Sequence, residues 1–286
     1  MGGFDLATPH VSIAIPASII ADVPGLQLKT FKIGQVARAS AIYRVEEIFI
    51  YPDLIHGEQK NEMGMISQIL RYVETPQYLR KRLFPLSPVL KYAGVLPPLN
   101  TLHHPTNSLV AALRDGEFRE GVAIAQDRTG SLIDAGLGRP LRSSEKVPKG
   151  KRQSFRVRRK GEDDVQLDLV SRSEIPGYWG FRVTELQETL GTFMKRRTFD
   201  LYILTSRSGS PIKDVLKRLQ EELKNSSKIL VAFGSPKEGL EEILARESLD
   251  ETTGDYSLNM IPNQGTQTVR TEEAIHATLA IINLIM

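Results

Sequence analysis

The chain has 286 residues, of which 41% are hydrophobic and 25% are charged, and its formal net charge at pH 7 is +3. This composition supports a folded core, and the length fits either one large domain or two. The sequence contains no cysteine, which excludes disulfide bonds, thiolate metal sites and a cysteine nucleophile. The small positive charge permits a nucleic-acid partner without requiring one.

The N-terminal region predicts a strand, a helix and a second strand. Residues 11–15 are an apolar run that ends at Pro16, residues 27–43 carry apolar side chains at helical spacing, and residues 47–51 are again strand-like. This order is typical of a βαβ unit with parallel strands. The N-terminus lacks the pattern of a signal peptide, and the apolar run at 277–286 is too short to span a bilayer. We therefore expect a cytoplasmic protein without a membrane segment.

Residues 60–83 predict a third helical region, interrupted at Thr75 and Pro76. A proline-rich segment at 85–105 then marks a linker or the entry to a domain. It contains His103 and His104, but no third metal ligand lies near them in the sequence. We therefore expect no metal site and favour a substrate-side or hinge role for this pair. Three consecutive cations near the end of the helical region are either a solvated face or an RNA-binding patch: Arg80, Lys81 and Arg82.

Residues 108–175 have a different texture. Short alternating runs at 121–125, 154–158 and 165–170 are separated by turn residues, which predicts a small antiparallel β-barrel. The densest basic stretch of the chain lies here and includes Arg139, Arg142, Lys146, Lys149, Lys151, Arg152, Arg156, Arg158, Arg159 and Lys160. Such cations can follow RNA phosphates while aromatic rings stack on bases, although Phe155 is the only aromatic residue in the stretch. The alternative is a basic, solvated loop between strands.

The C-terminal part returns to an α/β pattern. It predicts a strand at 178–183, a helix at 184–195, a buried strand at 199–204 and an amphipathic helix at 212–224. The polar residues 205–211 between the last two elements predict a loop at the carboxyl end of a strand.

Two further strand–loop–helix units follow. Residues 229–233 predict a buried strand, and residues 237–247 a helix. A second polar loop follows Met260 and ends where Thr271 opens the final helix. Polar loops at one edge of a sheet are where open α/β folds bind ligands.

These loops do not form a phosphate-binding P-loop. Gly234 and Gly239 have the outer spacing of that motif, but Leu240 stands where its lysine is required. Loops with small and apolar side chains suit a neutral, flat ligand such as an adenine nucleoside. The alternative is that they are ordinary connections, in which Gly, Pro and Asn are common.

The segments 233–236 and 259–274, together with 34–40 and 44–48, resemble the SPOUT RNA methyltransferases. The likeness is greatest to the archaeal and eukaryotic branch with an inserted OB-like domain. The resemblance implies an α/β fold with a SPOUT-like parallel sheet and a C-terminal trefoil knot, plus an inserted small antiparallel β-barrel. It also implies S-adenosyl-L-methionine as the cofactor and a homodimer.

With this resemblance, we expect a discontinuous methyltransferase domain at 1–88 and 177–286, and an OB-like RNA-binding domain at 89–176. The expected activity is S-adenosylmethionine-dependent methylation of a base in RNA, with uridine N3 of ribosomal RNA as the favoured target and a ribose oxygen as the less favoured one. The alternative is a non-catalytic RNA-binding or ribosome-assembly factor that uses the basic barrel.

The resemblance and the loop pattern together give the candidate site residues. Arg38 and Arg270 are candidates to stabilise charge on the base. Without the resemblance, the sequence around Arg38 favours a solvated helix position. No general base is identified. The predicted cofactor-binding residues are Thr205, Ser206, Arg207, Gly209, Phe233, Gly234, Ser235, Pro236, Gly239, Asn259, Met260, Ile261, Pro262, Asn263, Gln264, Gly265 and Thr268. The predicted RNA-binding residues are Arg80, Lys81, Arg82, Lys149, Lys151, Arg152, Arg156 and Arg158.

Overall fold

The computed structural model describes residues 9–54, 59–161 and 164–286. The strands are, in chain order, β1 (His10–Pro16), β2 (Glu47–Tyr51), β3 (Phe118–Asp127), β4 (Gly130–Asp134), β5 (Leu141–Ser143), β6 (Arg152–Arg159), β7 (Val165–Val170), β8 (Arg182–Glu185), β9 (Leu201–Pro211), β10 (Lys228–Ala232) and β11 (Tyr256–Asn259). The α-helices are α1 (Gly25–Ile42), α2 (Lys60–Glu74), α3 (Gln77–Leu83), α4 (Leu190–Lys195), α5 (Ile212–Asn225), α6 (Leu240–Ala245) and α7 (Thr271–Ile285).

The chain divides into two compact units. The first consists of Met1–Arg71, Tyr92–Pro97 and Phe181–Met286, and the second of Tyr72–Lys91 and Pro98–Gly180. Compared with the predicted domains, the second unit takes in the end of α2 and all of α3, while a short segment of the proline-rich region belongs to the first unit.

In the first unit, six strands of the described chain form a parallel sheet in the order β11-β9-β10-β1-β2-β8. The predicted βαβ unit is confirmed, since β1 pairs with β2 in parallel around α1. The central strands are buried along nearly their whole length, which explains their continuous apolar sequences. Within the same unit, α1 and α7 are neighbouring helices.

Two boundaries predicted for the region between the units are wrong. The expected strand at 178–183 begins only at Arg182, after Gly177 and Gly180 adopt positive φ angles of 78° and 85°. The expected helix at 184–195 begins only at Leu190, because Thr184 and Glu185 belong to β8 and pair with β2, and Thr189 is the N-cap of the helix. Helical periodicity alone did not reveal this edge strand.

The second unit contains the predicted small β-barrel, closed in the order β3-β4-β5-β7-β6. Most of its neighbouring strands are antiparallel, and β5 with β7 forms a parallel pair. Phe155 is fully buried in the barrel core, so it is not a platform for base stacking. A Cβ atom on Gly121 would lie 2.6 Å from Ile133 and 3.1 Å from Phe155, so the core requires glycine at this position.

The predicted break in the third helical region is confirmed: α2 ends at Glu74 and α3 begins at Gln77. His103 and His104 both bind the end of α2, where their Nε2 atoms lie 3.0 Å and 2.6 Å from the carbonyl oxygen of Glu74. The pKa of His104 is lowered to about 4, mainly by burial and to a smaller extent by the neighbouring His103. This ring is therefore neutral at physiological pH. The pair therefore caps a helix terminus.

Candidate active site

A cavity of about 420 Å³ lies in the first unit, where three polar segments meet. Its walls come from residues 205–208, 233–242 and 258–269, and α7 closes it with Thr271, Ala274 and Thr278. The volume is within the range of about 300 to 1,000 Å³ that is usual for small-molecule sites. The cavity thus has the size needed for a small organic ligand.

The first wall is a bulge in β9 rather than the predicted loop at the end of a strand. Leu204 pairs with Ser257, and the next residue of β11, Leu258, pairs with Ser210. Residues 205–209 therefore leave the ladder opposite a single peptide unit of β11, and β9 then resumes. The polar composition of residues 205–211 predicted that strand pairing stops after Leu204, but not that it resumes at Ser210.

Gly209 closes this bulge through a close contact between two backbones. A Cβ atom on it would lie 2.7 Å from the carbonyl carbon of Ser257 and 2.8 Å from the nitrogen of Leu258. Both are main-chain atoms that cannot move aside without opening the sheet. Gly209 therefore shapes the wall without lining the cavity itself.

Hydrogen bonds connect the bulge to the loop after β11. Arg207 donates from Nη1 to the carbonyl oxygen of Gln267 at 3.1 Å, and Asn259 donates from Nδ2 to the carbonyl oxygen of Arg207 at 2.8 Å. The Oδ1 atom of Asn259 also accepts a bond of 3.0 Å from the backbone nitrogen of Ile261. The two walls are thereby held together by the protein's own contacts.

The middle wall begins where β10 ends. The buried hydroxyl of Tyr51 donates to the carbonyl oxygen of Phe233 at 2.6 Å, and Thr205 donates from Oγ1 to the carbonyl oxygen of Ala232 at 2.9 Å. Burial, followed by the nearby carboxylate of Asp53, raises the pKa of Tyr51 well above its ordinary value. Tyr51 therefore stays a neutral donor that fixes the end of the strand.

Charged side chains of both signs line the cavity: Arg207, Lys237, Glu238, Glu241 and Glu242. The three carboxylates have different surroundings. Glu238 forms an ion pair with Arg246, whereas Glu242 folds back toward the start of α6. Glu241 accepts a bond of 3.4 Å from the hydroxyl of Ser208 in the bulge. Glu241 is thus the carboxylate most directly associated with the opposite wall.

Most of the predicted cofactor-binding residues line this cavity: Thr205, Ser206, Arg207, Phe233, Gly234, Ser235, Pro236, Gly239, Asn259, Met260, Ile261, Gln264 and Thr268. Four others lie in the same segments without lining it: Gly209, Pro262, Asn263 and Gly265. The lining carboxylates and the α7 face were not among the predicted residues. Thr271, Ala274 and Thr278 follow the helical period of i, i+3 and i+7, so a row of small residues at that spacing was the available signal.

The two candidate catalytic arginines are not part of the lining. Arg38 is half-buried on α1. The pKa of His276 on α7 is lowered mainly by burial of its ring and, to a smaller extent, by the positive charge of Arg38. Arg270 is exposed immediately before α7, and its backbone nitrogen donates to the carboxylate of Glu273 at 2.9 Å. Their assignment to catalysis stays a prediction.

The candidate RNA-binding cations of the second unit fall into two groups. The exposed group comprises Lys81, Arg82, Lys149, Lys151, Arg156 and Arg158. Three of these form ion pairs at the surface: Arg82 with Asp134, Arg156 with Glu174 and Arg158 with Asp168. Arg80 and Arg152 are less exposed and are bound more extensively within the unit. Arg80 donates to the carbonyl oxygens of Val73 and Thr75 at 2.9 Å and 2.8 Å. Arg152 binds Glu120 at 2.6 Å and Glu74 at 3.0 Å.

Among the described residues, no three His, Asp or Glu side chains converge in a way that would hold a metal ion. Within the same residues, no helix combines the length and apolar character required to cross a membrane.

Comparison with known proteins places this geometry in context. Residues 10–282 match a family model described as a putative RNA methyltransferase. An uncharacterized protein of Halobacterium salinarum is 32% identical over 96% of this chain and 98% of its own. The 28S rRNA (uridine-N(3))-methyltransferase of Homo sapiens is 30% identical over 97% of this chain and 79% of its own, and the Drosophila melanogaster protein of the same name is 31% identical over 95% and 61%. The chain therefore belongs to this RNA methyltransferase family, of the SPOUT type that its motifs resemble.

Proposed function

We propose that the protein transfers the methyl group of S-adenosyl-L-methionine to N3 of a uridine in ribosomal RNA. The family supports the methyltransferase activity, and the names of the human and fly relatives support the uridine and the ribosomal RNA. The observation that carries the proposal is the cavity in which the three motif segments meet. The same finding favours an enzyme over an RNA-binding factor without catalysis.

The lining of the cavity fits the chemistry of this cofactor. Leu258, Ile261 and Val269 offer apolar surface for an adenine ring, and the small residues of α7 leave room beside them. The carboxylates complement the positive charge of a sulfonium and an ammonium group, while Arg207 and Lys237 complement a carboxylate. S-adenosylmethionine supplies an electrophilic methyl group when it is bound there.

The chain's own residues position the uridine and take its proton. Methylation at N3 forms a nitrogen–carbon bond, breaks the sulfur–methyl bond and releases the N3 proton, so a base is needed. Because Glu238 pairs with Arg246 and Glu242 folds back on its helix, we assign the proton to Glu241. Arg38 and Arg270 are retained as candidates to stabilise negative charge on the uracil, a role that their alanine variants would test by lost turnover with cofactor binding retained.

We further propose a homodimer formed through α1 and α7. On α1, Leu28, Phe31 and Ile42 are exposed along one face, and on α7 Leu284 is 82% exposed. Exposed apolar side chains on two neighbouring helices are typical of a protein–protein interface, and a second copy would cover the same patch on both subunits.

We also propose that the C-terminal part of the chain forms a trefoil knot, which is supported by the resemblance to the SPOUT family. An experimental tracing of residues 201–286 would test it.

In the second unit, we propose that the exposed cations bind RNA phosphates. Lys149 and Lys151 lie beside β6, and Arg156 and Arg158 project from it. Arg80 and Arg152, which are less exposed, also hold this surface in place through their bonds within the unit.

The first test is calorimetric titration of the protein with S-adenosylmethionine. The second is to incubate ribosomal RNA with the protein and S-adenosylmethionine and then to map its modified nucleosides. We expect saturable binding and 3-methyluridine. We also expect Glu241→Gln to lower kcat by about 100-fold, because general bases contribute roughly 10² to 10⁴. Glu221→Gln is the matched control, because Glu221 is an exposed glutamate of the same unit outside the cavity. A protein that does not bind the cofactor, or that binds it and methylates no uridine, would refute the proposal.

A further inference from the structure

A second concave surface lies wholly within the second unit, along residues 72–91. It is formed by the end of α2, by α3 and by the proline-containing turn that follows, and its volume is about 640 Å³. Neither the family match nor the names of the relatives gives it a role. Its chemistry differs from that of the proposed cofactor cavity in three ways.

The first difference is an aromatic wall that is already ordered. The rings of Tyr72 and Phe84 meet edge to face with their centroids 5.3 Å apart, and the guanidinium of Arg80 lies 4.9 Å from the centre of the Tyr72 ring. The same guanidinium donates to the carbonyl oxygens of Val73 and Thr75, which fixes its position. A planar ligand would therefore meet stacked groups that lose little conformational freedom on binding.

The second difference is an apolar side chain left in solvent. Leu86, which lines the pocket, is fully exposed, and prolines at 85 and 88 restrict the backbone on either side of it. Exposure of a leucine forgoes the stabilisation of burying it, roughly 1.5 to 3 kcal/mol. Burial by a ligand would recover that stabilisation.

The third difference is the sign of the charge. Arg80, Lys81 and Lys91 line the pocket, and no acidic residue occurs among the described residues of its lining. Aromatic and apolar surface beside cations is the combination that binds a single-stranded nucleotide, in which the base stacks and the phosphate meets the positive charge. A protein segment or a lipid surface fits this pocket less well, because the stacked guanidinium–tyrosine pair offers a flat surface that suits a planar base.

From these observations we propose that residues 72–91 form a pocket for an unpaired nucleotide of the RNA substrate. The proposal rests on the proposed function for the identity of that RNA, but not for the binding itself. It adds a recognition element for single-stranded RNA that is separate from the phosphate-binding cations of the barrel. The enzyme would then favour substrates with an unpaired nucleotide over continuous duplexes.

The test uses a fluorescein-labelled oligouridylate, single-stranded or annealed to its complement, and the full chain. We expect Tyr72→Leu to weaken binding of the single strand by at least about fivefold, since stacking on an aromatic residue contributes that much or more. We expect a loss of at least about fivefold for Leu86→Ser as well, since the ligand would no longer bury a leucine side chain. Duplex affinity should be unchanged. Leu102→Ser is the matched control, because Leu102 is an exposed leucine of the same unit outside the pocket.

Circular dichroism and cross-linking complete the test. Circular dichroism establishes folding of each variant, and if Tyr72→Leu unfolds, Leu86→Ser decides the result, because Leu86 is fully exposed. An oligouridylate containing 4-thiouridine should cross-link to peptides from 72–91. Unchanged affinity for the single strand, equal losses for strand and duplex, or cross-links confined to the barrel would overturn the pocket. Cofactor calorimetry on the same samples reports separately on the proposed function.

Discussion

Replacement of Arg152 by methionine is expected to destabilise the second unit much more than the same change at the exposed Arg142. Arg152 lies between two buried carboxylates: Glu74 is 9% exposed and Glu120 is 4% exposed. Methionine fills similar space but leaves both negative charges without their main partner. Arg142 pairs with Asp127 in solvent, where ion pairs contribute little.

The magnitude follows from the pKa of Glu74. Burial alone would raise this pKa, but Arg152, as the largest opposing cause, and His103 lower it from 4.5 to about 2. A shift of that size corresponds to about 3 kcal/mol of stability, which agrees with the roughly 3 to 5 kcal/mol usually lost when one partner of a buried pair is removed. For the Arg142 variant we expect a change of at most about 1 kcal/mol.

The single tryptophan of the chain provides the assay. Trp179 belongs to the second unit, and its indole nitrogen donates to the carboxylate of Glu120 in the same cluster. Urea unfolding followed by its fluorescence therefore reports on this unit. At pH 7 the Arg152→Met variant should unfold with a free energy about 3 to 5 kcal/mol lower than the wild type.

The pH dependence gives a second check with a defined sign. In the wild type the folded-state pKa of Glu74 is depressed, so its contribution is complete above pH 4.5 and is lost as the pH falls toward 2. Without Arg152, burial favours the protonated carboxyl, so acid should narrow the difference between variant and wild type. Equal stability of the Arg152 and Arg142 variants at pH 7, or a difference that widens in acid, would refute this account of the cluster.

Three other outcomes are expected. Gly209→Ala should weaken cofactor binding by at least about tenfold in calorimetry, because its Cβ atom would clash with the β11 backbone, and wild-type affinity would contradict the role given to the bulge. Phe31→Glu should convert a dimer to a monomer in analytical ultracentrifugation while leaving the circular dichroism spectrum unchanged, because the side chain is 50% exposed; a dimer that persists would exclude this face. Lys149→Ala combined with Lys151→Ala should reduce the slope of log affinity for RNA against log salt by about 1 to 2, and an unchanged slope would remove them from the RNA surface.

The parts of the fold that sequence predicted are those in which local pattern and burial agree. The runs in β1, β2 and β10 are apolar because both faces of the parallel sheet are covered, and such runs are visible without any knowledge of their neighbours. By contrast, β4 and β5 are short and contain glycine, serine and arginine, so no alternating pattern marks them. They form strands because β4 pairs with β3 and β5, and β5 pairs with β7, which closes the barrel.

The candidate site shows the same limit. The polar segments after β10 and β11 are conspicuous in the sequence, and most of their predicted residues do line the cavity. The bulge in β9 was not predictable, because pairing resumes at Ser210 only where β11 lies beside it. Arg38 illustrates the reverse case: its segment matched a family motif, but the three-dimensional structure places it on α1 outside the lining.

Arg152 shows why charge patterns alone do not identify a binding surface. The period of two along β6 puts Arg152 on the same face as Arg156 and Arg158, pointing away from the barrel core. The other two remain exposed, but Arg152 is covered by Glu74, which precedes it by 78 residues in the sequence. Three arginines that are equivalent in a local pattern thus have two different environments, and only the packing of α2's end against the strand distinguishes them. A salt-dependence experiment that changed Arg152 would therefore measure loss of folding together with loss of RNA contacts, whereas Lys149 and Lys151 separate the two.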